Sequence, residues 1–403
     1  MSESELARAH VSPAVAWLRT PAAIRERCHQ LLDLGLAGRL PHFRVEPSRL
    51  PVVVDTVLNV TRELYPNLDI PLHSRWGHFD AGGVARVAEL EERLKDATPQ
   101  ERARAKLDLV VVSVLLDAGS GPKWRYRERG GGTWARSEGL AVASFRMFMD
   151  GLFSSDPDRP LRADAEALGR MTREGLAHGM QVSESNPLDG LEGRLHLLHG
   201  LAKVLPRPGA LLDIVTAQRR SVRAAELLGL VLEVLGPIWP GRVMVDAVNL
   251  GDVWPHSSLG PVESVDALVP FHKLSQWLTY SLVEPLAEAG VQVTELDGLT
   301  GLPEYRNGGL FVDLGVLVPR DVKITTVALH PGDEPIVEWR ALTVALLDRV
   351  AALVRGRLGM NAEELPLGKV LQGGTWTAGR RVAAELRPGG VPPIRVDSDG
   401  TVF

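Results

Sequence analysis

The sequence predicts a mainly α protein: a large helical domain, undivided or in two lobes at 1–205 and 206–403, with a small β-hairpin near 310–329. Three observations carry that expectation. Apolar residues recur at three- and four-residue spacing along most of the chain. Helix-start signals, such as Ser12-Pro13 and Thr98-Pro99-Gln100-Glu101, stand ahead of those runs. Stretches rich in β-branched residues are few and short.

In chain order, Ser12-Pro13 caps a helix over 14–38, and the capping box at Thr98 opens one through Leu116. Further helices are expected over 137–149, 163–180 and 211–235, the last stopping at Gly236-Pro237. The set closes with 267–286, 339–358 and 370–386. Residues 310–317 and 322–329, separated by Pro319-Arg320, predict the hairpin, while 243–248 and 394–403 offer edge strands.

Composition limits the function classes. The 403 residues carry a net charge of −5 and one cysteine, Cys28, which excludes a disulfide scaffold and any multi-cysteine metal site. The longest apolar run, 107–116, is broken by Asp108 and Ser113 and is far too short to span a bilayer. The opening MSESELARAH lacks the basic-then-apolar pattern of a signal peptide. The expectation is a soluble, cytoplasmic protein with neither membrane nor nucleic acid as partner, since no basic run is present. No GxxxxGK[ST], placed GxGxxG, Ser–His–Asp order, Cys–His pair or HExxH occurs, so neither a cofactor nor a metal is expected. Nine tryptophans outnumber four tyrosines, and several stand beside charged or polar residues. An indole so placed is either a core anchor or a pocket wall.

Polar, glycine-rich segments between helices are where chemistry would sit. In 72–79, His73 and His78 are five apart and share no helix face, while Arg75 beside Trp76 suits an anion. In 117–126 a helix ends at glycines and presents Lys123, Trp124 and Arg125, which either favour the helix dipole or meet a ligand. On one helix, Lys273, Gln276 and Tyr280 form a polar stripe at i, i+3 and i+7, next to Trp277. The run 301–310 packs Glu304, Tyr305, Arg306 and Asn307 ahead of two glycines and leads to Asp313. The fifth segment is Gly373-Gly374-Thr375-Trp376. His196 and His199, at i and i+3, have no third ligand and are assigned to structure.

Several of these runs occur together and in order: LDIPLHSRW at 68–76, LDAGSG at 116–121 with Trp124-Arg125-Tyr126, RSEGLA at 136–141, LTGLPEYRNGG at 299–309, and GGTW at 373–376 through SDGTVF at 398–403. In this the chain resembles the uracil-catabolism family of the pyrimidine ring-opening pathway, long catalogued as a domain of unknown function. A more distant resemblance, carried by QWLTYS at 276–281 and EWRALT at 338–343, is to the queuosine-nucleotide glycosidases of queuine salvage. That family's fold is similar to helix–hairpin–helix DNA glycosylases. Its aspartate-tyrosine-arginine run corresponds here to Phe271-His272-Lys273, so its presumed catalytic aspartate is not carried over.

The resemblance implies hydrolysis of the N-glycosidic bond of ribosylurea or its 5-phosphate, releasing urea. Such a reaction needs a carboxylate to stabilise an oxocarbenium-like sugar and activate water, donors for the departing urea, and arginine or lysine for a phosphate. Glu304 is the first candidate carboxylate and Asp313 the second. Arg306 and Asn307, with Tyr305, would hold ureido or sugar groups. Arg75, His73, Lys123, Arg125, Lys273 and Gln276 are further substrate-binding candidates, and Trp124, Trp277 and Trp376 would wall the pocket. Two other readings stand beside this one: an amidohydrolase or ring-opening step on the ureido group, and a non-catalytic binding subunit of the pathway.

Overall fold

The computed structural model describes residues 12–217 and 220–402. Helices carry the architecture, as the apolar spacing predicts, and every sheet among the described residues has two strands. No described helix is long and apolar enough to cross a membrane. The opening ten residues, read above for targeting signals, lie outside the described residues.

The chain forms two compact units, each assembled from separate stretches. The first takes the chain up to Leu72, Pro240–Gln276 and Glu295–Asp397. The second takes His73–Trp239, Trp277–Thr294 and the segment from Ser398 onward.

The first unit is built on the 25-residue helix Glu334–Leu358, buried from Ile336 to Leu347 and again at Val350, Ala351 and Val354. It packs against helix Pro21–Leu36. Each fully buried Leu, Val or Ile in this contact contributes roughly 1.5–3 kcal/mol. The helix expected over 14–38 is interrupted at Thr20, whose hydroxyl accepts from the Ala23 N–H at 3.1 Å and starts a new helix at Pro21. The strands expected around 310–329 are present as Leu317–Pro319 and Ala328–Leu329, but they do not pair with each other. Leu317–Pro319 pairs antiparallel with Phe43–Val45, and Ala328–Leu329 runs parallel to Arg395–Val396. The separation has two causes: residues 310–313 finish helix Tyr305–Asp313, and a helical turn, Lys323–Thr326, takes up much of the expected second strand.

The second unit centres on helix Pro99–Leu115, which opens at the predicted Thr98 cap, Thr98 Oγ1 accepting from Glu101 N–H at 3.2 Å, while the Glu101 carboxylate meets Arg207 instead of closing the box. It packs against helix Arg136–Met149. The helix expected over 163–180 is two, Ala165–Arg170 and Arg173–Gly179, because Thr172 caps a fresh start. Residues 211–235 likewise divide into Ala210–Thr216 and Ala224–Leu235, with strand Ser221–Arg223 between them, paired to Gln292–Thr294. The helix expected over 267–286 is Lys273–Glu288, and strand Leu268–Pro270, which precedes it, belongs to the first unit.

Candidate functional site

In the first unit the LTGLPEYRNGG run ends in a helix, Tyr305–Asp313, started by an unusual cap. The Glu304 carboxylate accepts from the Arg306 N–H at 2.7 Å and from the Asn307 N–H. Glu304 is 8% exposed and Arg306 5%. Burial pushes the Glu304 carboxyl up; the two backbone N–H groups and the nearby charges of Lys273 and Arg306 oppose that only in part. Among the described residues neither Glu304 nor Arg306 forms an ion pair. Arg306 donates through Nη1 to the Gly390 carbonyl at 2.9 Å, and its guanidinium carbon lies 4.9 Å from the centre of the Tyr305 ring. Its Nε is buried without an acceptor. The Arg306 backbone is crossed by helix Trp376–Leu386 at Gly379, where a Cβ would stand 2.1 Å from the Arg306 carbonyl oxygen.

Neighbouring candidates are engaged by the chain itself. Asn307 donates to the Leu302 carbonyl and accepts from Thr375 Oγ1 at 2.9 Å, tying GGTW to LTGLPEYRNGG. Asp313 holds Arg387 through two hydrogen bonds, at 2.8 and 2.6 Å. Trp376 is half-buried, with the Arg380 guanidinium 5.6 Å from its ring centre.

Lys273 begins its helix just after His272, whose backbone lies in the left-handed region at φ 47°, a conformation that costs a non-glycine residue roughly 1 kcal/mol or more. The Lys273 N–H donates to Asp252 Oδ2 at 3.0 Å. Asp252 also takes both terminal nitrogens of Arg340, at 2.8 and 2.7 Å, and the Trp254 indole N–H at 2.8 Å. Burial pushes the Asp252 carboxyl up, but Arg340 and these hydrogen bonds outweigh it and hold the group well below the ordinary carboxylate range. Gln276 is fully buried and donates to the Phe271 carbonyl and Thr300 Oγ1, while accepting from the Thr300 N–H. Glu338 receives the His42 and Phe43 N–H groups and lies 3.1 Å from His256 Nε2.

In the second unit four of the quoted runs meet at one carboxylate. Asp117 accepts from Ser137 Oγ at 2.7 Å and the Trp277 indole N–H at 3.1 Å, and pairs with Arg75 at 2.8 Å. His78 Nδ1 lies 3.0 Å from Ser137 Oγ. The His73 and His78 rings stand 4.7 and 5.4 Å from the Trp277 ring. Arg75 is thus held by a carboxylate and by Ser113 and Ser137. Trp124 is fully buried and donates to the Met180 carbonyl, whereas Lys123 and Arg125 lie exposed. Trp76 and Trp339 also give their indole N–H to backbone carbonyls, of Ser281 and Gly308. Trp76, Trp124 and Trp339 are therefore anchored to the backbone through their indole N–H, whereas Trp277 gives its own to the Asp117 carboxylate.

Asp117, Ser137 and Asp252 are not among the site candidates read from the sequence, and His78 enters there only as the partner of His73 in a pair that shares no helix face. Asp117 and Ser137 lay inside quoted runs and could have been; Asp252 sits 88 residues from Arg340 with no local signal. Among the described residues no group of three or more His, Cys, Asp or Glu is arranged to hold a metal ion.

A family model described as a protein of unknown function, DUF1688, matches residues 17–403. The chain belongs to that family. Two relatives extend the match. Protein urg3 of Schizosaccharomyces pombe is 42% identical, over 96% of this chain and 99% of its own length. Uracil catabolism protein 4 of Lachancea kluyveri is 37% identical, over 98% of this chain and 100% of its own. This DUF1688 chain thus shares essentially its whole length with proteins one of which is named for uracil catabolism.

Proposed function

We propose that this chain acts in uracil catabolism and hydrolyses the N-glycosidic bond of ribosylurea or its 5-phosphate. The relative named for uracil catabolism supports the pathway. The observation that carries the reaction type is the Glu304–Arg306 pair: a buried acid and a buried cation, two residues apart, neither ion-paired among the described residues.

In the proposed step the bond from C1 of the sugar to the ureido nitrogen breaks, and its electron pair leaves with nitrogen. The Glu304 carboxylate offsets the positive charge developing on the sugar and takes a proton from the attacking water. Water oxygen bonds to C1, and the proton passes to the ureido nitrogen, giving urea and ribose or ribose 5-phosphate. Burial makes this carboxylate a stronger base than an ordinary one, which suits the removal of a proton from water.

The test is urea release from synthetic ribosylurea and ribosylurea 5-phosphate by purified protein. Glu304→Gln keeps an acceptor for the helix N-terminus and is expected to lower turnover by about 10²–10⁴-fold. Unchanged turnover in that variant removes Glu304 from the chemistry. No urea from either compound with wild-type protein refutes the glycosidase reading.

A further inference from the structure

We infer that Arg306 is the seat of an anion site and that the preferred substrate is the phosphorylated one, a ribosyl compound bearing a phosphate monoester; this deepens the glycosidase reading and rests on it. The argument comes from comparing buried guanidinium groups. A charge removed from water is kept in a fold when it is paired or fully hydrogen-bonded. Arg75 has Asp117, Arg86 has Glu128, and Arg340 has both oxygens of Asp252. Arg340 also leaves its Nε without an acceptor, but its two terminal nitrogens are held by that carboxylate. Arg194 has no carboxylate and is instead ringed by the carbonyls of Leu116, Ala118, Gly119 and Asp189.

Arg306 has neither arrangement. Buried to 5% exposure, it holds one carbonyl, that of Gly390, and the face of Tyr305, and its Nε has no acceptor. Glu304 is near enough for its charge to act, yet both of its oxygens receive backbone N–H groups. Asp313, on the same helix, is held by Arg387. What Arg306 lacks is therefore an anion in direct contact with its guanidinium, since Glu304 acts only through space, and an acceptor for Nε. A neutral ureido oxygen would satisfy Nε and leave the charge unmet. A phosphate monoester meets both, and the planar guanidinium matches its oxygens through two parallel N–H groups.

The experiment compares ribose 5-phosphate, ribose and inorganic phosphate by calorimetry, alongside urea release from ribosylurea 5-phosphate and ribosylurea. Wild-type protein should favour each phosphorylated compound over its unphosphorylated partner by on the order of 10- to 100-fold, the scale of charge-assisted hydrogen bonds. Arg306→Met should bring both ratios close to one, and Arg306→Lys, which keeps the charge without the planar fork, should leave an intermediate ratio. Wild-type ratios near one overturn the proposal without recourse to a variant. So do ratios that persist in either variant, or inorganic phosphate binding as tightly as ribose 5-phosphate. A phosphate preference in binding, lost in Arg306→Met, with no urea from either ribosyl compound, upholds the anion site and refutes the glycosidase.

Discussion

Arg194 and Arg306 stand in different units, and both are arginines buried without a carboxylate to hold them. Around Arg194 the chain supplies four carbonyl oxygens, three from the loop that follows helix Pro99–Leu115 and one from Asp189. Burial pushes its pKa down to about 10, yet Asp117, Asp189 and Asp399 act through space to keep it charged. Around Arg306 the chain supplies one carbonyl and an aromatic face. The difference separates a cation that builds structure from one whose partner is not part of the fold. Burial alone, which the two share, says nothing about which is which; the tally of acceptors does.

Four substitutions would break or sharpen that contrast. Arg194→Met removes the donors of four carbonyls and should cost the most, about 3–5 kcal/mol of unfolding free energy in denaturant titrations. A loss under 1 kcal/mol would mean the loop holds itself. Next comes Glu128→Gln, which weakens the partner of fully buried Arg86 and should cost about 2–3 kcal/mol at pH 7.

Glu128 also sets a pH dependence. Hydrogen bonds from Arg86, opposed by burial and helped by Arg146, hold its carboxyl down to about 2 from an ordinary 4.5. A depressed carboxyl binds fewer protons in the folded chain than in the unfolded one. Its stabilisation is therefore complete above pH 4.5 and is lost as pH falls toward 2. Denaturant midpoints measured across that window should fall less steeply in Glu128→Gln than in wild type.

Glu304→Gln comes third, at about 1 kcal/mol or less, because the amide oxygen still accepts at the helix N-terminus. Arg306→Met should be smallest, within about 1 kcal/mol of wild type or slightly stabilising, since an apolar side chain of similar length replaces an unmet charge. If Arg306→Met instead loses 3 kcal/mol in the absence of ligand, Arg306 belongs with Arg194.

Helix starts are read at Ser12-Pro13 and Thr98-Pro99, where a small polar cap precedes proline, but Thr20-Pro21, of the same pattern, is passed over inside 14–38, and there the first long helix breaks. Helix Tyr305–Asp313 was not legible. Its cap is a glutamate, a residue seldom used there, and two glycines followed by Leu310, Phe311 and Val312 read as the approach to a strand. The candidate site divides in the same way. Residue types and polar clustering marked the segments, so Glu304 and Arg306 were named as chemistry-bearing residues. Whether each was already partnered depends on chain far away in sequence, such as Gly390 for Arg306 and Asp252 for Arg340. Asp313 illustrates the point, since its segment gave no sign that Arg387, 74 residues on, would hold it.

The second unit has a consequence for how the chain is made. Gly190 and Gly400 meet so closely that a Cβ at either would stand 2.3 or 2.1 Å from the other's backbone, and the carbonyl of Asp399 lies against Gly193. Most of that unit has been synthesised by Trp239, but the segment that closes over Gly190 begins only at Ser398. At about 5–20 residues per second, roughly 8–30 s separate the two events. Throughout that interval Gly190 and Gly193 lack the close backbone contacts that Asp399 and Gly400 make in the finished fold, so this corner of the unit is completed last.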